Sequence, residues 1–254
     1  KITDNEEYFT RLEYILSRLK SINPSISITG GEPSKSKRLP RILELINKYG
    51  YRKRTFTTNG SGLLDVIEGK SVLQHLIDNE FQHLNISKPH YIEEVSSSIM
   101  SYKNGNCSNE MLESIFTISK ANNLRPRMSC LLLKEGISTL SQMVDYMQFY
   151  QNLGVDNVIF RELMDFDVNT MINKEKINYC VDNKIRLNDI WNEVDTDSRF
   201  TPIRNLLGYY YYVEVYKFEN IDMASEGANL VKIYDEKEKH KDIVYEMVFH
   251  PNGN

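Results

Sequence analysis

Cysteine is scarce in this chain of 254 residues: Cys107, Cys130 and Cys180 are all there are. Their odd number and wide separation exclude a disulfide framework. No two stand at metal-ligand spacing, and an isolated cysteine packs as a small hydrophobe. The five histidines, His75, His83, His90, His240 and His250, are equally scattered. None forms a His-x-x-x-His or His-Glu-x-x-His pair, so a zinc site has no support. No apolar run approaches the roughly 20 residues needed to cross a bilayer. Lys1 to Tyr14 is charged and amphipathic, without the pattern of a signal peptide. A cytoplasmic protein with no membrane partner is therefore expected. A net charge of -4 gives no argument for nucleic acid. Internal repeats and low-complexity stretches are missing too.

What is present is 41% hydrophobic and 26% charged, an ordinary globular composition. The length suits one α/β domain or a domain with an extension. Apolar positions Tyr8, Phe9, Leu12, Tyr14, Ile15 and Leu19 predict an amphipathic helix over Asn5 to Lys20, ended by Asn23-Pro24. Strands are predicted at Ser25 to Thr29, Arg54 to Thr58, His83 to Ser87, Arg127 to Leu133 and Asn157 to Leu163. Helices are predicted at Leu39 to Tyr49, in parts of Leu63 to Asn79, and at Asn109 to Asn122 and Leu140 to Leu153. This βα alternation implies a parallel sheet or barrel with right-handed crossovers. The rhythm breaks after Asp165. Met171 to Arg199 reads as polar and irregular, with a helix around Lys174 to Cys180. Tyr209 to Phe218, Asn229 to Tyr234 and Ile243 to His250 read as strands of an antiparallel extension. The expected division is residues 1–165 as the core and 166–254 as the extension.

The chemistry-bearing residues sit at strand ends. They are Gly30-Gly31-Glu32, Thr58-Asn59-Gly60, Asn85-Ile86-Ser87, Arg127-Met128-Ser129 and Phe160-Arg161-Glu162. Parallel α/β folds gather ligand-binding groups at such ends. The glycines let a ligand approach the main chain, and Glu32 can accept hydrogen bonds from a cationic group.

Ile28-Thr29-Gly30-Gly31-Glu32-Pro33, Thr57-Thr58-Asn59-Gly60, His83-Leu84-Asn85-Ile86-Ser87 and Gly154 to Phe160 together resemble the radical S-adenosylmethionine (SAM) enzymes. They are nearest to the branch with molybdenum-cofactor cyclases and viperin-like enzymes. The resemblance covers about Asn5 to Leu163. It implies a partial (β/α)6 TIM-type barrel whose first strand would precede the first helix, with a β-rich C-terminal extension capping the mouth. It also implies SAM and a [4Fe–4S] cluster as cofactors, an external one-electron reductant, and a small-molecule, nucleotide or peptide substrate. Reductive cleavage of SAM would give a 5′-deoxyadenosyl radical that abstracts hydrogen from that substrate. By resemblance, Gly30, Gly31 and Glu32 would hold the SAM amino group, and Asn85 and Ser87 the ribose hydroxyls or carboxylate. Arg127 or Ser129 would meet the carboxylate or ribose, and Val158 to Phe160 would line the adenine. Thr58 and Asn59 would touch SAM or substrate.

One element of that family is not here. Its cluster is held by a Cys-x3-Cys-x2-Cys loop ahead of the first helix, and no such motif occurs in these residues. The cluster cysteines are expected upstream of Lys1. The alternative is a degenerate barrel that binds SAM or a nucleotide without radical chemistry. A third reading takes Glu32 and Glu162 as acid and base of a conventional lyase or hydrolase. The basic cluster Lys35, Lys37, Arg38 and Arg41 reads as a solvated loop and helix face, or as a phosphate contact. Arg161 and Glu162 read equally as an ion pair or as substrate contacts. Trp191 reads as an anchor for the extension.

Overall fold

A computed structural model describes residues 4–102, 107–163, 174–207, 211–228, 235, 238–244 and 246–254. In chain order the elements are α1 (Asn5–Leu19), β1 (Ile26–Ile28), a 3-10 turn (Pro33–Lys35), α2 (Leu39–Lys48), β2 (Arg54–Thr58), β3 (Val66–Ile67), β4 (Lys70–Ser71) and α3 (Val72–Asp78). Next come β5 (His83–Ser87), α4 (Glu93–Met100), α5 (Asn109–Ala121), β6 (Arg125–Leu131), α6 (Leu140–Asn152) and β7 (Asn157–Arg161). The chain continues through α7 (Lys174–Asn183), α8 (Leu187–Thr196), β8 (Phe200–Leu207), β9 (Tyr211–Phe218) and β10 (Ile221–Ala228).

Local chemistry explains where these elements start. Asp4 caps α1 by accepting from the Glu6 and Glu7 amides, and those two acidic residues complement the helix N-terminus. Ser71, Ser108 and Thr139 cap α3, α5 and α6 in the same way. Helix α1 buries Tyr8, Phe9, Leu12 and Leu16, a stripe at helical spacing. Each such side chain contributes about 1.5–3 kcal/mol on leaving water.

Eight strands form one sheet in the order β1-β2-β5-β6-β7-β10-β9-β8, and β3 and β4 form a separate antiparallel pair. Strands β1, β2, β5, β6, β7 and β10 are mutually parallel, and β9 runs against both β10 and β8. This mostly parallel α/β sheet is a partial TIM-type arrangement. From β1 to β7 each new strand is laid beside the last in the same direction. Right-handed crossovers taken always in one direction put every helix on one face. One side of the sheet is therefore packed and the other carries no crossover helix.

The alternation of side chains records this. Phe56, Leu84, Ile86, Met128, Cys130, Val158, Phe160 and Met223 point to the helices and join Leu43, Phe116, Met143, Tyr146 and Tyr150 in the main core. Their neighbours one residue away, Thr57, Asn85, Arg127, Ile159 and Ala224, point to the other face.

The sequence reading differs from this fold in several places; α4, β8 and the short strands β3 and β4 are among the elements it does not contain. The strand predicted from Arg127 begins two residues earlier, because Pro126 sits inside β6 near its start, where a missing ladder donor is tolerated. Residues 174–199 are not irregular throughout: α8 buries Leu187, Ile190, Trp191 and Val194. Strand β10 has no counterpart among the predicted strands. Its small residues Ala224, Ser225, Gly227 and Ala228 hide the strand pattern, yet it continues the parallel sheet beside β7. Finally, Ile243 to His250 is not a strand in its described residues. No strand pairs with it; Phe249 instead packs its ring 5.1 Å from that of Tyr8, and Val244 and Met247 are exposed. The strand expected at Asn229 to Tyr234 and the tyrosines Tyr209 and Tyr210 lie outside the described residues. Among the described residues, no helix is long and apolar enough to cross a membrane.

Candidate functional site at the strand tips and the uncovered sheet face

The chain leaves β1 through Gly30 (φ +93) and Gly31 (φ +55), a left-handed path that only glycine follows without strain. A Cβ built on either glycine would meet nothing within 4 Å. The main chain at this tip is thus open to an approaching ligand.

Glu32 turns back under the tip. Its Oε1 accepts from the Ser34 amide (3.0 Å), the Ser34 hydroxyl (2.6 Å) and the Thr58 hydroxyl (2.5 Å). Its Oε2 accepts from the Asn59 amide (2.7 Å). The carboxylate therefore ties the end of β1 to the end of β2. A carboxylate has about four lone-pair sites; Oε1 is saturated and Oε2 retains one position for a cationic donor.

Thr58 and Asn59 are drawn into the same knot. The Thr58 hydroxyl also accepts from the Gly60 amide (3.0 Å), and Asn59 Oδ1 accepts from the Ser61 amide (2.9 Å). Gly60 (φ +85) is obligatory, since a Cβ there would lie 2.6 Å from the Cys107 sulfur.

A polar row crosses the uncovered face. Thr57, Asn85 and Arg127 are direct cross-strand partners on β2, β5 and β6. Asn85 donates to the Thr57 hydroxyl (3.3 Å) and accepts from Arg127 Nε (2.9 Å). One step nearer the tips, Ser87 pairs with Ser129 and Ser129 with Ile159. One further step brings Arg161, paired in register with Glu226 of β10 and contacting its carboxylate at 3.1 Å. Burial lowers the Arg127 pKa from its ordinary value; the positive charge of Arg161 acts the same way, and Glu226 opposes both.

Below the β5 tip, Lys88 is almost wholly buried. Its ammonium donates to the Cys107 carbonyl (2.9 Å) and Asn109 Oδ1 (2.7 Å), pinning the connection between β5 and α5. Desolvation pushes its pKa down.

Of the residues expected at the site, the structure brings Gly30, Gly31, Glu32, Thr58 and Asn59 together at the tips of β1 and β2. Asn85, Ser87, Arg127 and Ser129 gather on the adjoining uncovered face. It does not bring the side chains of Val158 and Phe160 there. Both are fully buried on the helix-covered face, where Phe160 meets Tyr146 edge-on at 5.7 Å. The period of two in a strand turns Ile159 and Arg161 to the other face instead, where Ile159 is buried against Val213, Val215 and Ala224. Any contact of Val158 or Phe160 with an adenine would have to be through main chain.

Neither carboxylate of the acid–base reading is available for that work. Glu32 is held by four donors, and Glu162 pairs with Lys184 (2.9 Å) while accepting from the Leu187 amide (3.3 Å). Three of the four members of the basic cluster near Pro33 are committed to protein partners: Lys35 to Asp65, Arg41 to Glu6, and Arg38 to Asn5 and the Pro251 carbonyl. Glu226 is missing from the sequence reading because β10 is. Thr57 and Arg161 are legible as the alternate members of their strands.

The cysteines do not form a cluster site. Cys107 and Cys130 are buried, and burial pushes the Cys107 thiol up to about 11 and Cys130 well above its ordinary value. Among the described residues no group of three or more His, Cys, Asp and Glu side chains is placed to hold a metal ion.

No family model matches the sequence, and no curated protein does. Similar folds occur among solved structures. One is a histidine-tagged anSMEcpe with bound AdoMet, at 16% identity and a TM-score of 0.43, over 62% of this chain and 42% of that one. A domain of pyruvate-formate lyase-activating enzyme from Bacteroides vulgatus has 16% identity and a TM-score of 0.42, over 62% of this chain and 90% of that one. Coproporphyrinogen III oxidase (HemN) from Escherichia coli, a radical SAM enzyme, has 12% identity and a TM-score of 0.43, over 83% of this chain and 59% of that one. The chain thus spans less than half of the first of these proteins. Likeness at this level carries no argument about activity.

Proposed function

We propose that the chain is the SAM-holding barrel of a radical SAM enzyme. The observation that carries this reading is the juxtaposition at the strand tips. An open diglycine main chain and a carboxylate oxygen with one remaining acceptor position lie beside a face bearing Asn85 and Arg127.

SAM carries a cationic amino group, a carboxylate, a ribose and an adenine in one molecule. In this reading the amino group meets the Gly30–Gly31 main chain and Glu32 Oε2. Asn85 and Ser87 face the ribose. Arg127 or Ser129 faces the carboxylate or ribose, and the main chain of Val158 to Phe160 borders the adenine. Glu32 has two roles: its bonds to Thr58 and Asn59 also fix the tip that the ligand meets, so binding costs little further ordering. The iron–sulfur cluster that such an enzyme carries does not fit the three cysteines of this chain. What these residues do is bind and orient the cofactor and a second small, nucleotide or peptide ligand on the uncovered face.

Equilibrium binding of S-adenosylhomocysteine, measured by titration calorimetry, tests the reading. Saturable binding is expected in the wild type. Arg127→Gln removes a charge-assisted hydrogen bond worth about 1.5–3 kcal/mol, a loss of roughly ten- to a hundredfold in affinity. No saturable heat with ligand up to about 1 mM, the weak end of specific binding, overturns it.

A further inference from the structure

Arg161 and Arg127 share the uncovered face on neighbouring strands, and only one carboxylate, that of Glu226, contacts either of them among the described residues. Arg127 gives a single donor, Nε, to the neutral Asn85. Arg161 gives one Nη2 contact to Glu226, while its Nε is buried without a partner. A guanidinium offers five donors in a planar fork. Here the Arg127 fork is partly desolvated and feels the charge of Arg161, and the Arg161 Nε is buried. Glu226 compensates one of them.

We propose that this pair forms an oxyanion site, in which the carboxylate or phosphate of the second ligand docks on the Arg161 fork beside Arg127 and takes over from Glu226. The tip geometry favours Arg161 over Arg127 as the anchor. Arg161 lies one step beyond Ile159, at the end of β7, and 40% of its side chain is exposed. Arg127 lies deeper, in the row shared with Asn85 and Thr57. An incoming oxyanion offers the Arg161 fork two coplanar acceptors, which the single Nη2 contact to Glu226 does not supply. Glu226 acts as a resting counter-ion, and its competition sets the affinity. A neutral ligand gains nothing from this arrangement. That the oxyanion belongs to the substrate rests on the SAM reading above; the site itself does not.

The probes are inorganic phosphate and glutarate, each titrated at low ionic strength and read by calorimetry and by the rise in unfolding temperature. Saturable binding of phosphate alone identifies a phosphate-bearing ligand, and of glutarate alone a carboxylate-bearing one. Arg161→Gln should weaken the favoured anion by at least about tenfold, and Arg161→Lys, which keeps the charge but loses the fork, by several-fold. Glu226→Gln should instead tighten it by about three- to fivefold, the worth of a partly exposed ion pair. S-adenosylhomocysteine affinity should be unchanged in Arg161→Gln. The inference is overturned if neither anion binds, if Arg161→Gln binds like wild type, or if Glu226→Gln brings no gain. Anion binding without S-adenosylhomocysteine binding overturns the SAM reading and leaves the oxyanion site standing.

Discussion

Removing the Glu32 carboxylate should loosen the protein as well as its ligand site, and the two losses can be separated. In Glu32→Ala four donors lose their acceptor: two on Ser34, the Thr58 hydroxyl and the Asn59 amide. Ser34 and Thr58 are buried, where a stranded donor costs about 1–3 kcal/mol. Water can reach the Asn59 side of the knot and relieve part of the loss. Allowing about 1 kcal/mol for each of the three donors on Ser34 and Thr58 gives a destabilisation of about 3 kcal/mol. Glu32→Gln keeps one acceptor oxygen but turns an amide N–H toward another donor, so about half that loss is expected. The assay is urea unfolding followed by far-ultraviolet dichroism and Trp191 fluorescence, with the slope against denaturant required to stay constant. Thr58→Val supplies a cross-check: in a double-mutant cycle with Glu32→Ala the two should couple by about 1 kcal/mol. A ligand-only carboxylate on a surface turn would cost within about 0.5 kcal/mol. A Glu32→Ala loss that small, with no coupling to Thr58, refutes the strap between β1 and β2.

Two further outcomes follow from the same geometry. Phe160→Ala should destabilise by about 3–5 kcal/mol, as for a buried aromatic in a packed core. In the folded variant S-adenosylhomocysteine affinity should stay at its wild-type value by calorimetry; a large loss of affinity without loss of stability would place that ring at the ligand. Stability should also fall as pH drops from about 7 to 5, across the ordinary histidine range. Burial lowers the pKa of His83, with the charges of Lys53, Arg127 and Arg125 adding to it, and burial lowers that of His90, whose Nδ1 accepts from the Ile92 amide. Both therefore take up a proton less readily in the fold than in the unfolded chain, so the unfolded chain binds more protons over this window and stability rises with pH. Urea midpoints measured across the window should show a shallower pH slope in His83→Gln; an unchanged slope would exclude a contribution from His83.

Much of the architecture is legible in the sequence because local signals and tertiary packing agree. The βα alternation, the five parallel strands from β1 to β7 and the glycine-rich tip at Gly30-Gly31 follow from apolar spacing, caps and turns. Legibility ends where the signal depends on a partner elsewhere in the chain. Strand β10 is built largely of small and polar residues, and pairing with β7 on one side and β9 on the other makes it a strand. Ile243 to His250 has the alternation of a strand, but among the described residues no strand pairs with it. The site shows the same division. Glu32 stands out as a lone carboxylate at a tip, but its bonds to Thr58 and Asn59 join residues 26 and 27 positions away. Val158 and Phe160 are mouth residues only by the resemblance, whereas the face each one occupies is decided by the helices.

The sequence by itself determined the elements, their order and a ligand-facing end, since propensity, capping and period are properties of neighbouring residues. The tertiary structure decided which face of each strand is open. Side chains alternate with a period of two, so a strand offers two equally regular faces, and nothing in its own residues says which one the crossover helices will cover. Laying each strand from β1 to β7 on the same side of the last put every crossover on one face. That left Thr57, Asn85, Arg127 and Arg161 on the other, with Glu226 brought beside them from near the far end of the chain.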